Sequence, residues 1–241
     1  MRNIILASVC AAALLVPAAA SAQLTGTLGG GYTRVTNGGG ADAYGVVGSL
    51  ATEIGSGWSL EGNGSFYNFN PGALDIWSLG GNLSTSTGFG RIAGGTTHTG
   101  TGFAHATTYG GGADWFFSDV LTLSLRGGGH YASGGSDGGY VGLQGAYYLM
   151  PNLALSASAD YVGNSTGDIN FQKLKAEWQF SDSLPLSVYG GYQRSDGAGT
   201  QTHSIFVGVK FYLDGAPNLV GHHRTGSLGY IGQSFIQSGV Y

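Results

Sequence analysis

Asp119 to Tyr131, reading DVLTLSLRGGGHY, alternates without a break. Leu121, Leu123, Leu125, Gly127, Gly129 and Tyr131 share one parity, and Thr122, Ser124, Arg126, Gly128 and His130 share the other. A period of two means a strand with one apolar face and one wet face. Strands of soluble domains usually stop after about five or six residues, whereas this one is long enough to cross a bilayer when tilted. It begins directly after Phe116, Phe117, Ser118 and Asp119, a short turn flanked by aromatics, and the unit of tight turn plus long alternating strand recurs along the chain.

The recurrence has a period of roughly 30 to 35 residues, the length of one long hairpin. One set of connections is tight and similar: Ile54 to Trp58, Ser86 to Phe89, Phe117 to Val120, Met150 to Leu153 and Phe180 to Leu184. The other set is looser and rich in turn formers: Asn37 to Asp42, Asn68 to Ala73, Thr99 to Gly102, Ser133 to Gly139, Gly163 to Asp168 and Ser195 to Thr202. Between them lie twelve predicted strands, near 24–35, 43–54, 57–68, 74–85, 89–98, 103–116, 120–132, 139–149, 153–162, 169–180, 184–194 and 203–213. An even count suits an all-β fold of one kind, a closed antiparallel transmembrane β-barrel with short periplasmic turns and modest extracellular loops. Closure answers a physical need, because each unpaired peptide group at a sheet edge costs several kcal/mol in lipid.

The alternation holds in other strands. Leu153, Leu155, Ala157, Ala159 and Tyr161 oppose Ser156, Ser158 and Asp160; Ile205, Val207, Val209, Phe211 and Leu213 oppose Gly208 and Lys210; Trp58, Leu60 and Phe66 oppose Ser59, Glu61, Asn63 and Ser65. It weakens in the first, fifth and sixth strands, where glycine dominates. Tyr44, Trp58, Phe66, Trp77, Phe89, Trp115, Phe117, Tyr147, Tyr161, Trp178 and Phe180 fall toward strand ends, as two interfacial girdles require. A soluble β-sandwich with an aromatic core is the competing fold, and shorter strands would be expected of it.

Composition agrees with a lipid-facing wall. Charged residues make up 9% of the chain, against about a quarter in soluble domains. The 47 glycines could signal low complexity, but 14 Tyr, 11 Phe and 4 Trp are too many aromatics for a disordered chain. At the N-terminus Arg2, the apolar run from Ile4 to Val16 and the small residues Ala20, Ser21 and Ala22 have the layout of a secretory signal peptide, residues 1–22. The run is too short for a spanning helix. Cleavage there removes one arginine and Cys10, the only cysteine, leaving a charge of 8 − 13 = −5 and no thiol for a disulfide or a thiolate metal site. The barrel then occupies residues 23–213. Residues 214–241 form a C-terminal periplasmic tail with no clear strand, flexible or packed at the barrel mouth.

By parity Glu61, Arg91, Asp114, Arg126, Asp160, Lys173, Lys175, Glu177 and Lys210 point inward and are the candidate pore-lining residues. Charges in a lumen can set ion preference by raising the local concentration of counter-ions. In the plainer reading Lys173, Lys175 and Glu177 pair with Glu61, Asp114 or Asp160 inside a filled interior. No loop is long enough to fold deeply inward, so narrowing must come from wall side chains or the tail. His98 and His105 flank one loop and His203 shares the parity of Ile205, yet no outward His-x-Ser pair exists to supply a base beside a nucleophile, so no enzyme is expected. His222 and His223 lack a third spaced ligand, so neither metal nor other cofactor is expected. Gly110 to Gly112 and Gly127 to Gly129 lie within strands, where glycine permits bends, bulges or room for a neighbouring ring. An acidic chain without basic patches argues against nucleic acid.

The signal peptide, the hairpin repeat and the last strand, Ile205 to Leu213, together resemble the small porin-like outer-membrane β-barrel proteins of Gram-negative bacteria. The likeness covers about residues 23–213, and the chain departs from it by continuing beyond the terminal aromatics. The resemblance implies export to the cell outer membrane, contact with its lipid and lipopolysaccharide, and recognition of the last strand by the barrel-assembly machinery. It implies transport by passive diffusion of small solutes or ions through a narrow lumen. The alternative is a non-conducting structural or adhesive protein acting through its outer loops.

Overall fold

The computed structural model describes residues 24–37, 41–70, 74–135, 137–165, 167–197 and 199–225. The signal-peptide reading of residues 1–22 and the end of the tail lie outside them. Twelve strands follow in order: β1 (Leu24–Val35), β2 (Asp42–Gly55), β3 (Trp58–Asn70), β4 (Leu74–Thr87), β5 (Gly90–Gly100), β6 (His105–Phe117), β7 (Leu121–Ala132), β8 (Gly138–Met150), β9 (Leu153–Asn164), β10 (Ile169–Ser181), β11 (Leu184–Gly197) and β12 (Thr200–Tyr212). Each pairs antiparallel with its sequence neighbours, and β1 pairs with β12 from Thr27 opposite Tyr212 to Val35 opposite Ser204. The sheet is thus a closed cylinder with no free edge.

A twelve-residue strand such as β7 rises roughly 40 Å and, tilted by ~40°, spans about the 30 Å of a hydrocarbon core. Connections alternate as the turn chemistry requires. At the tight-turn rim Gly55, Ser56 and Gly57 all take positive φ, and Ser118–Val120 form one turn of 3-10 helix. Register shifts fall at this rim, in β2–β3, β8–β9 and β10–β11. The loop rim departs from expectation by two residues where β3 continues to Asn70 and β6 begins at His105, and further at one place. Ser195 to Thr202 is largely strand, because Gly197 pairs with Thr200 and the ladder runs almost to the tip. Its polar residues predict a loop, but backbone pairing is indifferent to them.

The outer wall is apolar. Leu60, Leu79, Leu143, Leu174, Ile205 and Val207 are each at least half exposed. Exposed rings mark both rims, with Phe89, Phe117, Tyr147 and Trp178 at the tight turns and Tyr44, Trp77, Tyr131 and Tyr161 at the loops. The inner wall is mostly polar, with Ser49, Asn63, Ser78, Asn82, Thr97, Thr108 and Gln193 shielded from solvent. Exposed oil outside and sheltered polarity inside invert a soluble protein, and are the arrangement of a barrel in a bilayer.

Glycine explains the strands in which alternation is weak. Pairing puts Tyr189, Gly208, Gly31, Gly45 and Tyr67 in one row across β11, β12, β1, β2 and β3. A Cβ at Gly208 would lie 2.4 Å from the Tyr189 ring, and one at Gly45 would lie 2.2 Å from the Tyr67 ring. Both rings therefore lie flat on the inner wall over residues with no side chain. The same logic places the Tyr140 hydroxyl over Gly110.

After β12 the chain turns across the tight-turn mouth and forms a short helix, α1 (Leu219–Thr225). Leu219 and Val220 bury against Ala146, Tyr148, Ala154 and Tyr212. The described part of the tail is therefore packed at the mouth.

Candidate functional site

All nine sequence-predicted residues face the inside of the cylinder. Glu61, Arg91, Asp114, Asp160 and Glu177 are buried, and Arg126, Lys173, Lys175 and Lys210 are half-buried. For Lys175 and Glu177 the partners differ from those the sequence suggested. Arg91 and Asp114 are register neighbours on β5 and β6, and Arg91 Nη2 donates to Asp114 Oδ2 at 2.9 Å. Arg126 on β7 reaches over β8 to Asp160 on β9, donating through Nη2 at 2.7 Å and Nε at 3.0 Å. The bridge passes above Gly142, which is opposite both residues; a Cβ there would lie 2.0 Å from Asp160 Oδ1.

Glu177 is the centre of a larger group. Lys175 Nζ lies 2.7 Å from its Oε2 and Lys210 Nζ lies 3.5 Å from its Oε1. Ser187 Oγ donates to Oε1 at 2.7 Å, and the Tyr212 hydroxyl donates to the same oxygen. Neither Lys175 nor Glu177 pairs with Glu61, Asp114 or Asp160. Glu61 sits on β3, five strands from β10 around the ring, and Asp114 on β6 is four away; both exceed side-chain reach. Lys173 rests over the Phe206 ring at 4.7 Å, and Lys175 and Lys210 flank the Tyr189 ring at 5.9 and 5.8 Å. A cation over a ring face is held without cancelling its charge.

The lysines and the Arg126–Asp160 bridge border a lumen cavity of about 160 Å³ that is open to solvent. Arg126, Lys173, Lys175 and Lys210 line it on the β7–β12 side with the Asp160 carboxylate; Glu177 lies buried behind Lys175 and Lys210, so with it the arc carries a formal 4 − 2 = +2. The β3–β6 arc carries Arg91 against Glu61 and Asp114, or −1. The whole chain is at −4.

The tail meets this site from the tight-turn mouth. His223 lies against Glu177 Oε2 at 3.4 Å through Nε2, near the Tyr212 hydroxyl at 3.3 Å, with its Nδ1 3.1 Å from the Tyr148 hydroxyl. Burial pushes the His223 imidazole below its ordinary pKa, only partly opposed by Glu177, so the neutral ring is favoured. His222 stacks on Tyr212 with ring centroids 4.0 Å apart, and its Nδ1 lies 2.5 Å from Asp214 Oδ1. Burial pushes the Asp214 carboxyl up, but hydrogen bonds from His222 and the Ala216 amide outweigh it and hold the pKa low. Beyond the helix centre, Arg224 Nη1 donates to Asp119 Oδ1 at 3.0 Å and the guanidinium sits 5.0 Å from the Phe116 ring centroid.

His98, His105 and His203 lie on the outer wall near the loop rim, whereas His130 shares the inward parity of Arg126. His98 Nδ1 is 2.9 Å from Thr107 Oγ1, with its ring between those of Trp77 and His105. His203 contacts the Tyr192 hydroxyl and Gln201 Oε1. Among the described residues no group of three or more His, Cys, Asp or Glu is placed to hold a metal ion.

Sequence reasoning passed over the inward rings Tyr67, Phe171, Tyr189, Phe206 and Tyr212. Phe206 and Tyr212 share the parity of Lys210, and Phe171 that of Lys173, so their direction was legible. Which glycines they cover depends on the register.

The fold and lumen define a class, the closed twelve-stranded antiparallel barrel with an apolar outer wall. No protein-family model matches the chain, and no curated protein sequence matches it. Among solved structures it is similar to the KdgM porin, at 11% identity and a TM-score of 0.57 over 76% of this chain and 98% of that one. It is also similar to the NanC porin, at 12% identity and a TM-score of 0.59 over 78% and 100%. A third likeness is the translocator domain of the autotransporter NalP from Neisseria meningitidis, at 15% identity and a TM-score of 0.52 over 87% and 95%. These likenesses are of fold.

Proposed function

We propose that the protein is an outer-membrane channel through which small solutes diffuse passively, with a preference for anions. The observation that carries this is the arc of Arg126, Lys173, Lys175 and Lys210, which line the cavity with Asp160 and, counting Glu177 buried behind them, carry a formal +2 inside a chain that is acidic overall. A lumen wall of one sign raises the local concentration of counter-ions and lowers their barrier to passage. Shared fold with the KdgM and NanC porins supports the channel reading, and KdgM has been described in complex with disordered oligogalacturonate. No enzymatic role is needed to account for the site. In planar bilayers under a KCl gradient the refolded protein gives discrete conductance steps and a reversal potential on the anion-selective side. Lys173→Glu with Lys175→Glu moves that potential to the cation side. A correctly folded barrel that never conducts would remove the proposal.

A further inference from the structure

Residues 214–225 hold both to inward-pointing side chains of the wall and to two of the tight turns. Leu219 is fully buried and Val220 nearly so, against Ala146, Tyr148, Ala154 and Tyr212. Gln179 Nε2 donates to the Pro217 carbonyl at 3.4 Å, and the Val220 amide donates to Pro151 in the β8–β9 turn at 3.4 Å. One end is clasped by Asp214, which contacts His222 and accepts from Thr225 Oγ1 at 3.0 Å. The other is clasped by Arg224 on Asp119 and on the Ser118 carbonyl of the β6–β7 turn.

The topology turns these contacts into a statement about the mouth. The segment leaves β12 and ends on the turn between β6 and β7, and β6 is six strands from β12 in a ring of twelve. Strands about 4.8 Å apart and tilted ~40° make a twelve-stranded ring roughly 24 Å across. The chain between Tyr212 and Arg224 is long enough for that distance, and tyrosines of β8 and β12 converge on His223 from two sides. The helix therefore lies over the opening.

We infer that residues 214–225 are a built-in stopper that narrows the tight-turn mouth and is fastened to Glu177, the carboxylate that also gathers Lys175 and Lys210. This rests on the channel reading and adds its regulation. A seven-residue helix is too short to persist by itself in water, so release and unfolding of the segment are one event. Such an order–disorder step opens a path without moving the wall.

The test uses the full chain in a Cys10→Ser background. Asp119→Cys and Arg224→Cys are joined by a reducible bifunctional thiol reagent, and single-channel conductance is recorded before and after reduction. A separate variant, Leu219→Asp with Val220→Asp, removes the apolar anchor, and the mobility of a nitroxide on Thr225→Cys reports release. The linked form conducts least, and conductance rises about twofold or more after reduction or in the anchorless variant. Equal conductance in linked and released forms, with the nitroxide mobile in the latter, overturns the stopper and leaves the channel standing. Silence of the released form defeats the channel reading itself, and the stopper with it.

Discussion

On the β5–β6 side of the lumen one guanidinium faces one carboxylate, Arg91 to Asp114, between adjacent strands. On the β10–β12 side two lysines, two hydroxyls and a histidine converge on the single carboxylate of Glu177. Both groups are sheltered and both satisfy their charges. Only the second leaves positive charge over, and only the second joins wall to tail. A pair is a closed unit that an apolar couple of similar volume can replace, whereas a hub has no isosteric substitute because its partners come from four elements. Function is thus expected to follow the hub and stability to depend on both.

The largest effect is expected from Glu177→Gln. It strands Lys175 and Lys210 and weakens the seat of His223, costing about 3 to 5 kcal/mol, read as a lower urea midpoint for the detergent-refolded barrel. Replacing both members of the pair, as Arg91→Leu with Asp114→Leu, should instead fall within about 2 kcal/mol of the parent. Equal losses in the two variants would erase the contrast between hub and pair.

A smaller loss is expected at the Arg126–Asp160 bridge. Gly142→Val drives a side chain into the Arg126–Asp160 contact and should cost about 1 to 3 kcal/mol in the same assay. Gly62→Ala, where an added Cβ meets nothing within 4 Å, should stay within about 0.5 kcal/mol and serves as its control.

The smallest effect is a pH dependence of tail docking. His223 faces Glu177, Lys175, Lys210, Tyr148 and Tyr212 from the wall, with Asp214, His222 and Arg224 on its own segment. Its folded pKa is lowered, so the undocked ring binds a proton more readily than the docked one. Docking is fully present above the ordinary histidine value of about 6.5 and weakens as pH falls through the lowered folded value. Asp214, held low, stays ionised throughout that window. Nitroxide mobility at Thr225→Cys should rise on acidification, and His223→Gln should flatten the rise. A profile unchanged by that substitution would show that the hub does not transmit protonation to the tail.

Strand parity was legible because it is local: the backbone of Asp119 to Tyr131 sends alternate side chains to opposite faces whatever lies beside it. Parity and the turn residues between the strands together gave the twelve strands, the greasy outer wall and the inward direction of all nine charged candidates. What parity cannot carry is which residues meet across strands, since that depends on register and on where the cylinder closes. Only the closed sheet set Tyr189 over Gly208, passed Arg126 across Gly142 to Asp160, and kept Glu177 beyond the reach of Glu61. The tail was illegible for a related reason. Seven residues without a strong helical pattern acquire structure only from the mouth that receives them, so α1 exists as a property of the assembled barrel.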